Sequence, residues 1–519
     1  MKKVKLIDSL FLNKEPNRHL GLISINNILN KNGFTSTIIN FDYSFFRKNN
    51  INNRDILSMA NYILKDKPDF VGLSTLCETF HITLELAKQI KRLSKNTIVF
   101  LGGPHSSLTY NYILKTYTFI DFIMVGESEN TIINILKNCG NFNENIEGVA
   151  FLENDKVFYK KTLKNFEFDS LQVQKKLESQ NIKTISLEGG RGCPFNCSFC
   201  CTKINWNREF RLKPSYLIVE EMEFYYRNFN IKEFNIEHDL FIYSKKLFFE
   251  FCDLLMKKGL NKKVSWSCSS RIDLLDEEII KKLSVAGCSK IFLGIESISK
   301  DIQKKINKNL SIDKIFSNLE LLYKYNIVIF ISLIYGFPFE TFDDFKKNIE
   351  FSYYVYNKYN AKVSLNKLRY YPESELTKKY FNELKFDVSF YKNSIFKNDN
   401  IEQQIMEHKL IFSEFYTITT EITNSFYSFD IYHNIVILFL KTFFKKTYNN
   451  LFQSGEEYYQ NYILFVPYIH EIENLKRNFI SSSIFELIIE FSEVFRKFLE
   501  VNYPKYLEEF IIESKNLIK

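Results

Sequence analysis

Short buried-strand patterns alternate with helical patterns over the first 140 residues. Five apolar runs are typical of strands covered on both faces: Val4–Ile7, Thr37–Phe41, Phe70–Leu73, Ile98–Leu101 and Phe122–Val125. Apolar positions three and four residues apart predict helices at Leu20–Asn32, Asp55–Leu64, Thr83–Leu93 and Asn130–Asn138. This alternation predicts an α/β fold with a Rossmann-like, doubly wound parallel sheet. Such a sheet binds ligands at the carboxyl ends of its strands.

A second strand–helix rhythm repeats six times between residues 182 and 370. Its predicted strands are Thr184–Leu187, Glu233–Ile236, Val264–Ser267, Lys290–Leu293, Ile327–Leu333 and Lys362–Leu365. Its predicted helices are Ser215–Arg227, Ser244–Lys257, Asp276–Ala286, Ile312–Tyr325 and Thr341–Tyr356. Asp276 and Thr341 are suitable N-cap residues, each followed closely by an acidic residue. Six units are too few to close a full (β/α)8 barrel.

The remaining segments connect or follow these two regions. A connector contains a predicted hairpin, Gly148–Leu152 with Lys156–Tyr159, and a predicted short helix, Leu171–Ser179. Long helices are predicted after residue 380, among them Ile401–Thr423 and Ser482–Val501. We therefore divide the chain into a Rossmann-like domain (1–140), a connector (141–181), a barrel (182–379) and a helical C-terminal domain (380–519).

Composition changes this picture little. The formal charge of +8 is spread along the 519 residues, so neither nucleic acid nor a charged surface is an expected partner. Apolar runs stay short of the roughly 18 residues that a membrane span needs. Nine cysteines without a recognisable secretion signal indicate a reducing compartment, and we expect the protein in the cytoplasm.

The candidate chemistry centres on a cysteine-rich loop that follows the first barrel strand. Cys193, Cys197 and Cys200 lie within eight residues, and Gly192 and Pro194 favour a turn there. Thiolates at this spacing can converge on one iron–sulfur cluster. A structural zinc ion normally takes four ligands, and Cys201 is poorly placed to be the fourth because it adjoins Cys200. A disulfide is the other alternative, and it requires a secreted protein.

This CxxxCxxC loop resembles the signature of the radical S-adenosylmethionine (SAM) enzymes. The resemblance implies that Cys193, Cys197 and Cys200 are the catalytic cysteines and bind a [4Fe-4S] cluster, whose open iron chelates SAM. It also implies that the six strand–helix units form the partial (β/α)6 barrel of TIM type found in that family.

The ends of the later barrel strands resemble the same family. The second strand ends in Ile236-Glu237-His238-Asp239, the third leads to Ser269-Ser270-Arg271, and the fourth ends in Gly294-Ile295-Glu296-Ser297. The resemblance implies SAM-binding roles for Glu237, Asp239, Ser269, Arg271 and Glu296. Arg271 would hold the SAM carboxylate, and Glu296 its ribose or amino group. Each also has a structural alternative: Glu296 as a buried paired carboxylate, Arg271 as an ion-pair partner.

The N-terminal strands end in Ser74-Thr75-Leu76, Gly102-Gly103-Pro104-His105 and Gly126-Glu127. These ends resemble the cobalamin-binding domain that precedes the barrel in many radical SAM enzymes. The resemblance implies that Ser74, Leu76, Gly102 and Gly103 line the nucleotide tail of the cofactor, with Glu127 as a further contact. The loop after the first strand begins Asp8-Ser9-Leu10-Phe11 and lacks the histidine that ligates cobalt in some relatives. We therefore expect cobalamin without a histidine ligand from the protein. A relic domain that binds nothing is the alternative.

Together the resemblances imply a cobalamin-dependent radical SAM enzyme that modifies an unactivated carbon, with C-methylation as the first expectation. Cyclisation, rearrangement or epimerisation is the enzymatic alternative, and a cobalamin or metal sensor is the non-enzymatic one. A methylthiotransferase is not expected, since only Cys77 and Cys139 precede Cys193. The expected partners are a peptide or small-molecule substrate and an electron donor such as flavodoxin or ferredoxin.

Overall fold

The structure is a computed structural model. It describes residues 2–9, 11, 19–42, 50–138, 142, 145–162, 166–168, 173, 182–206, 208–392, 394–420, 422–423, 440–441, 444–468 and 484–518. Apart from Val173, which is not helical, the predicted helix Leu171–Ser179 lies outside the described residues, as do the loop residues Leu10 and Leu12.

The N-terminal region is a parallel sheet with helices between its strands. The elements are β1 (Lys3–Ile7), α1 (Leu20–Lys31), β2 (Thr35–Ile39), α2 (Asn53–Leu64), β3 (Phe70–Ser74), α3 (Phe80–Leu93), β4 (Ile98–Gly102), α4 (Pro104–Thr116), β5 (Phe122–Met124) and α5 (Ile132–Lys137). A hairpin of β6 (Val149–Glu153) and β7 (Lys156–Tyr159) adds two antiparallel strands, giving the order β2-β1-β3-β4-β5-β6-β7. The doubly wound prediction is confirmed.

The register of this sheet brings two predicted ligand-binding segments side by side. Ser74 at the end of β3 pairs with Gly102 at the end of β4. The sheet is held beneath them by buried apolar side chains, including a stacked pair of rings, Phe100 and Phe122, with centroids 5.0 Å apart. The predicted strands thus end at one edge, where a doubly wound sheet binds ligands.

One helix at this edge is not among the predicted elements. No helix is predicted between the strands Ile98–Leu101 and Phe122–Val125, but α4 begins at Pro104, directly after Gly103. Proline suits the first position of a helix because its missing N–H would have no partner there and its φ is already helical. Gly103 has a φ of +114°, and an added Cβ would lie 2.9 Å from the Thr75 carbonyl oxygen. Only glycine makes this turn without strain.

The barrel region follows the predicted rhythm. Its elements are β8 (Thr184–Glu188), β9 (Gly190–Arg191), α6 (Thr202–Asn205), β10 (Arg211–Leu212), α7 (Ser215–Phe229), β11 (Glu233–Glu237), α8 (Lys245–Lys257), β12 (Ser265–Ser270), α9 (Glu277–Val285), β13 (Cys288–Glu296), α10 (Lys300–Lys305), α11 (Ile312–Lys324), β14 (Val328–Tyr335), α12 (Phe342–Tyr359) and β15 (Lys362–Lys367). The six main strands form one open sheet in the order β15-β14-β13-β12-β11-β8, which confirms the six-unit prediction.

Both predicted N-caps are present. The Asp276 carboxylate accepts a hydrogen bond from the Ile279 amide at 2.8 Å. Thr341 and Asp344 form a reciprocal capping box at the start of α12. Such caps satisfy amide groups that the first helical turn leaves without partners. Local sequence signals therefore fix where these two helices begin.

The elements after the barrel are α13 (Glu375–Tyr380), β16 (Lys385–Phe386), α14 (Val388–Lys392), α15 (Asp399–Glu407), β17 (Tyr416–Thr417), α16 (Lys445–Leu451), α17 (Gly455–Phe465), α18 (Ile484–Asn502) and α19 (Leu507–Ile518). The predicted helix Ser482–Val501 corresponds to α18. The prediction of one long helix at Ile401–Thr423 is wrong, because α15 ends at Glu407 and β17 follows. The β-branched and aromatic run Tyr416-Thr-Ile-Thr-Thr420 favours an extended backbone there.

The chain divides into two compact units. The first comprises Met1–Ser270, Leu274–Lys290 and Arg369–Thr417, and the second comprises Arg271–Asp273, Ile291–Leu368 and Ile418–Lys519. The predicted boundary at residue 380 thus differs from this division. Segment 394–417 packs within the first unit: the Ile51 amide donates to the Ile395 carbonyl at 2.7 Å, and Phe80 contacts Phe412.

In the second unit, C-terminal helices pack on a barrel helix. The Tyr353 hydroxyl on α12 donates to the Phe452 carbonyl at 2.8 Å. The Tyr353 ring contacts Tyr458 of α17, and Phe345 contacts Tyr462. Aromatic residues of the C-terminal region therefore contribute to the core of the second unit. Among the described residues, no helix has the length and apolar character needed to cross a membrane.

Replacing Glu340 by glutamine is expected to stabilise the protein, increasingly so from pH 5 to pH 8. Burial raises the pKa of Glu340 to about 8, although the Gly336 and Phe337 amides donate to its carboxylate. Because the folded pKa exceeds the unfolded one, the wild-type protein loses stability as pH rises between the two values. Glutamine keeps an acceptor and does not titrate. Thermal unfolding midpoints at pH 5 and pH 8 test this, with surface Glu350→Gln as the control. If the unfolding midpoints of the wild-type protein and Glu340→Gln differ by the same amount at pH 5 and pH 8, the prediction is wrong.

Candidate functional site

The cysteine loop starts at a turn that accepts only glycine. Gly192 has a φ of +83°, and an added Cβ would lie 1.9 Å from the Glu209 carbonyl oxygen. Within the loop the Cys200 amide donates to the Cys197 carbonyl at 3.1 Å, and the Thr202 amide lies 3.4 Å from the Cys200 sulfur. All three predicted cluster cysteines are half-buried. The turn therefore sets their positions, and an amide hydrogen bond supports one of the sulfurs.

The spacing of the loop sulfurs fits a cluster better than one metal ion. Four ligands of a tetrahedral zinc ion lie about 3.8 Å apart. Among the described residues, Cys193, Cys197 and Cys200 do not form a set with all sulfurs within 4.8 Å of one another. A four-iron cube holds its thiolates farther apart than a single ion does. Burial raises the pKa of Cys193 to about 11, so iron binding must displace a proton there.

Cys201 differs from the three loop cysteines. It is the N-cap residue of α6, and its pKa is raised to about 12, chiefly by burial. No disulfide forms among the cysteines in the described ranges. Cys201 is therefore a protonated thiol beside the loop.

Arg191 connects the cysteine loop to the N-terminal domain. Its guanidinium forms ion pairs with Glu188 at 2.6 Å, Glu129 at 2.6 Å and Glu127 at 3.1 Å. The side chain is 4% exposed, and its guanidinium lies over the Trp206 ring. A buried arginine with three carboxylates is costly to disrupt, because removing one partner leaves buried charge unpaired. This network fixes the residue two positions before Cys193.

A cavity of about 330 Å³ lies at the carboxyl edge of the N-terminal sheet. This volume falls in the usual range of small-ligand sites, about 300–1,000 Å³. The predicted ligand residues Ser74, Gly102, Gly103 and Glu127 line it, whereas Leu76 is not part of its wall. Its remaining wall is mainly apolar. The structure therefore brings four of the five predicted cobalamin residues together.

The cavity also has walls that the sequence analysis did not anticipate. Glu188, Arg191, Asn205 and Trp206, which flank the cysteine loop on both sides, line it. The sequence signal for this contact is the acidic pair in Val125-Gly126-Glu127-Ser128-Glu129, which requires a cationic partner if buried. The candidate cobalamin pocket thus shares a wall with the candidate cluster loop.

His19 is a further unpredicted wall residue. Its Nδ1 accepts a hydrogen bond from the Leu22 amide at 3.2 Å, which makes it the N-cap of α1. Its Nε2 lies 2.7 Å from the Ser74 hydroxyl oxygen, and Ser74 in turn lies 3.2 Å from that of Ser9. Both ring nitrogens of the histidine in the pocket therefore already have hydrogen-bond partners. The absence of a histidine ligand to cobalt stays a prediction.

The end of β11 carries two carboxylates in different surroundings. Glu237 is exposed and accepts a hydrogen bond from the Ser186 hydroxyl at 2.8 Å. Asp239 is exposed as well, but it differs from Glu237 in its partners, because the side chain of Asp239 accepts hydrogen bonds from Thr202 and Trp206. Between them, His238 is buried, and burial lowers its pKa to about 4. Of the predicted acidic pair, Asp239 thus lies beside α6 and the cysteine loop.

The other predicted SAM residues have partners of their own. In the second unit Arg271 forms two hydrogen bonds with Asp273, at 3.0 and 2.9 Å, and donates to the Lys308 carbonyl at 2.8 Å. Glu296 pairs with Lys308 at 2.7 Å and has a φ of +67°, a strained backbone that is typical of functional positions. In the first unit, Ser269 accepts from the Phe241 amide through its carbonyl. The roles of Arg271, Glu296 and Ser269 in binding SAM stay predictions.

Replacing Arg271 by alanine is expected to weaken SAM binding about 10- to 100-fold, as is replacing Glu296 by glutamine. A charged hydrogen bond in a protected site contributes roughly 1.5–3 kcal/mol. Glutamine is preferable at position 296 because alanine would leave Lys308 buried without its partner. Equilibrium binding to the iron-loaded protein measures the effect, with surface Arg227→Ala as control. If both variants bind SAM with wild-type affinity, Arg271 and Glu296 have only a structural role.

Comparison with known proteins agrees with this geometry. Residues 187–352 match the model of the radical SAM superfamily, and residues 16–136 match the model of the B12-binding domain. The chain is a radical SAM protein with a B12-binding domain. These matches confirm the predicted [4Fe-4S] cluster, SAM and cobalamin as the cofactors that its domains imply.

Several known proteins are similar to this radical SAM protein. An uncharacterized methyltransferase of Pyrococcus horikoshii is 27% identical over 305 residues, which are 57% of this chain and 66% of that protein. The anaerobic magnesium-protoporphyrin IX monomethyl ester cyclase of Cereibacter sphaeroides is 25% identical over 311 residues, 57% of this chain and 50% of the cyclase. The matches thus span only half to two thirds of those proteins.

One solved structure covers nearly the whole chain. The cobalamin-dependent SAM radical enzyme OxsB, solved with aqua-cobalamin bound, superposes with a TM-score of 0.61 at 16% identity. The superposition covers 99% of this chain and 84% of that enzyme. It shows that the fold, including the helical C-terminal region, is one that a cobalamin-dependent radical SAM enzyme adopts.

Proposed function

We propose that this protein is a cobalamin-dependent radical SAM enzyme that methylates an unactivated carbon of a peptide or natural-product substrate. Cys193, Cys197 and Cys200 hold the cluster, and the N-terminal cavity holds the tail of cobalamin. The proposed reaction needs a one-electron donor of the flavodoxin or ferredoxin kind and a reducing compartment such as the cytoplasm.

The observation that carries this proposal is the wall shared by the cavity and the cysteine loop. Arg191 and Trp206 line the cavity, and the cluster cysteines lie between them in the sequence. A ligand in the cavity therefore lies beside the loop. A relic domain would need neither an apolar cavity nor this contact, and a sensor would not need the barrel strand ends that match the SAM site.

The residues of the chain would position and protect the two cofactors. The three thiolates would hold iron and leave one iron open for SAM, which would be cleaved reductively when cluster and electron donor are present. Trp206 and the apolar wall would exclude water from the cavity. Arg191 would keep the loop fixed against the N-terminal domain, because its three ion pairs connect both. A fixed distance between cofactors is what transfer of a group between them requires.

Two relatives support different outcomes for the substrate carbon. The similar protein of Pyrococcus horikoshii is named a methyltransferase, which supports methylation. The protein of Cereibacter sphaeroides is named a cyclase, which supports the alternative, cyclisation. Rearrangement and epimerisation are further alternatives. The substrate itself awaits identification by incubation with candidate peptides and metabolites.

Cobalamin binding and its ligation are tested together on the full chain. The anaerobically reconstituted protein is loaded with hydroxocobalamin, freed of excess cofactor and reduced to the cobalt(II) state. We expect retained cobalamin, and an electron spin resonance spectrum that does not change when the protein is grown with ¹⁵N-histidine. Because His19 is the histidine of the cavity, His19→Ala serves as the control. No retained cobalamin would contradict the proposal, and an altered nitrogen splitting would contradict the ligation prediction.

A further inference from the structure

Three metal-binding side chains from separate segments meet beside the cobalamin pocket. Cys77 starts the 3-10 helix that follows β3, His105 is the second residue of α4, and Glu414 lies in the 3-10 helix Ser413–Phe415. Their donor atoms all lie within 4.8 Å of one another, and the Cys77 sulfur is 3.0 Å from His105 Nδ1. All three residues belong to the first compact unit.

Burial makes this group unusual. Glu414 and His105 are both 0% exposed, and Cys77 is half-buried. Neither carboxylate oxygen of Glu414 has a hydrogen-bond partner among the described residues. A buried polar group without a partner costs about 1–3 kcal/mol, and more if it is charged. Native proteins therefore satisfy nearly all such groups with protein, water or an ion.

We propose that Cys77, His105 and Glu414 bind one divalent transition-metal ion, with Zn²⁺ as the best match. A thiolate, a carboxylate and a neutral imidazole balance the two positive charges, so the buried site would be neutral overall. Mixed S, N and O ligands suit zinc, and three protein ligands leave a fourth position open.

The geometry requires little adjustment for this ion. Two ligands on a tetrahedral zinc, one sulfur and one nitrogen, lie about 3.6 Å apart. The sulfur and Nδ1 would therefore move apart by about half an ångström. Neighbouring groups already hold the ligands: the Phe80 ring packs on His105 with centroids 4.2 Å apart, and the Ser413 hydroxyl donates to the Tyr370 carbonyl at 2.6 Å. Such supporting contacts orient metal ligands.

The ion would join segment 394–417 to the N-terminal domain. Contacts between the two that need no metal are already present, such as the hydrogen bond between His81 Nε2 and the Ser394 hydroxyl at 2.7 Å. His105 directly follows Gly103 and Pro104, which line the cobalamin cavity. A metal at this point would therefore stabilise the edge of the pocket. The metal takes no part in the proposed cluster chemistry. The proposal of this metal site does not depend on whether cobalamin binds.

The alternative is that Glu414 is buried as a neutral acid. Burial raises the pKa of Glu414 and of Cys77 and lowers that of His105 to about 3, so a metal-free site would be uncharged. A neutral carboxyl would still carry a proton without an acceptor among the described residues. The variant Glu414→Gln distinguishes the two states. Glutamine resembles the neutral acid, so it would fit a metal-free site, but it is a poor metal ligand.

Metal analysis of the full chain tests the proposal. The protein is reconstituted anaerobically with iron and sulfide so that the cluster cysteines are occupied. It is then incubated with ZnCl₂, freed of excess ions and analysed for zinc and iron. We expect about one zinc per chain in the wild-type protein and an unfolding temperature that falls when a chelator removes it. In Cys77→Ser and in Glu414→Gln, each of which removes a proposed ligand, zinc affinity should fall by more than about 100-fold. Loss of a contact that only supports a ligand costs roughly 10- to 100-fold.

Cys252→Ser, which alters a buried cysteine on α8, is the matched control and should keep its zinc. A Cys193/Cys197/Cys200→Ala chain, which offers no thiols in the loop, should also keep it. Absence of zinc from the wild-type protein would overturn the proposal. Unchanged zinc in both Cys77→Ser and Glu414→Gln would overturn it equally, because the ion would then be bound elsewhere. Glu414→Gln keeps the side-chain volume and relieves a buried acid, so it is expected to fold.

Discussion

Replacing Cys193, Cys197 and Cys200 together by alanine is expected to remove all iron and sulfide from the reconstituted protein. A [4Fe-4S] centre contributes four irons per chain, and these three thiolates are its predicted ligands. Iron and sulfide analysis, with the visible absorbance of the cluster, measures the loss.

Cys201→Ala is the matched control for the triple variant. Cys201 adjoins the loop but lies outside the CxxxCxxC spacing, at the N-cap position of α6. The variant should therefore keep its iron. If the triple variant retains about four irons, or if Cys201→Ala loses them, the assignment of the cluster ligands is wrong.

Replacing Gly102 by leucine is expected to abolish retention of cobalamin while leaving the cluster intact. Gly102 lines the cavity, and a Cβ there would meet only the Met124 Cβ, at 3.7 Å. The backbone therefore tolerates a side chain, but a leucine would occupy space that the cofactor needs. Absorbance of the protein after gel filtration measures the retained cobalamin, and iron analysis reports on the cluster.

Gly102→Ala provides a graded control, because its single methyl group makes only an ordinary van der Waals contact. It should retain much of the cobalamin. Equal retention by the wild-type protein and Gly102→Leu would show that the cofactor binds elsewhere. If Gly102→Leu loses iron as well as cobalamin, the leucine has disturbed folding. Gly102→Ala should then still keep its iron.

The strands and most helices follow from the sequence because their patterns are local. Val71, Leu73, Val99 and Leu101 belong to continuous apolar runs, which are typical of strands buried on both faces. The edge of the sheet then places Ser74 beside Gly102 without further information, since parallel strands end together. Local chemistry similarly predicts the capping of α9 by Asp276 and of α12 by Thr341.

Contacts between distant segments were not predictable in the same way. The pairing of Arg191 with Glu127 and Glu129 joins residues more than 60 positions apart, and no periodicity indicates it. The packing of Phe412 on Phe80 also joins distant segments, and the pattern that predicts a longer helix after Ile401 does not indicate it. Tertiary contacts decide such cases, because short-range preferences are small beside the burial of an aromatic ring.

In the candidate site, too, local motifs were predictable from the sequence and contacts between distant residues were not. Motifs indicated the three candidate cluster cysteines and two glycines, Gly102 and Gly103, that line the N-terminal cavity. They did not reveal that Arg271 pairs with Asp273 or that Glu296 pairs with Lys308, since these partners lie in segments without a motif. Whether SAM replaces those partners or adds to them is decided by the affinities of the Arg271 and Glu296 variants.

Reductive cleavage of SAM by the reconstituted protein tests the central claim most directly. The chain loaded with cluster and cobalamin is incubated anaerobically with SAM and a strong reductant, and 5′-deoxyadenosine is quantified by mass spectrometry. The proposed function predicts that 5′-deoxyadenosine forms with the wild-type protein and is absent with the Cys193/Cys197/Cys200→Ala variant. No 5′-deoxyadenosine from a wild-type sample that contains four irons and bound SAM would contradict it.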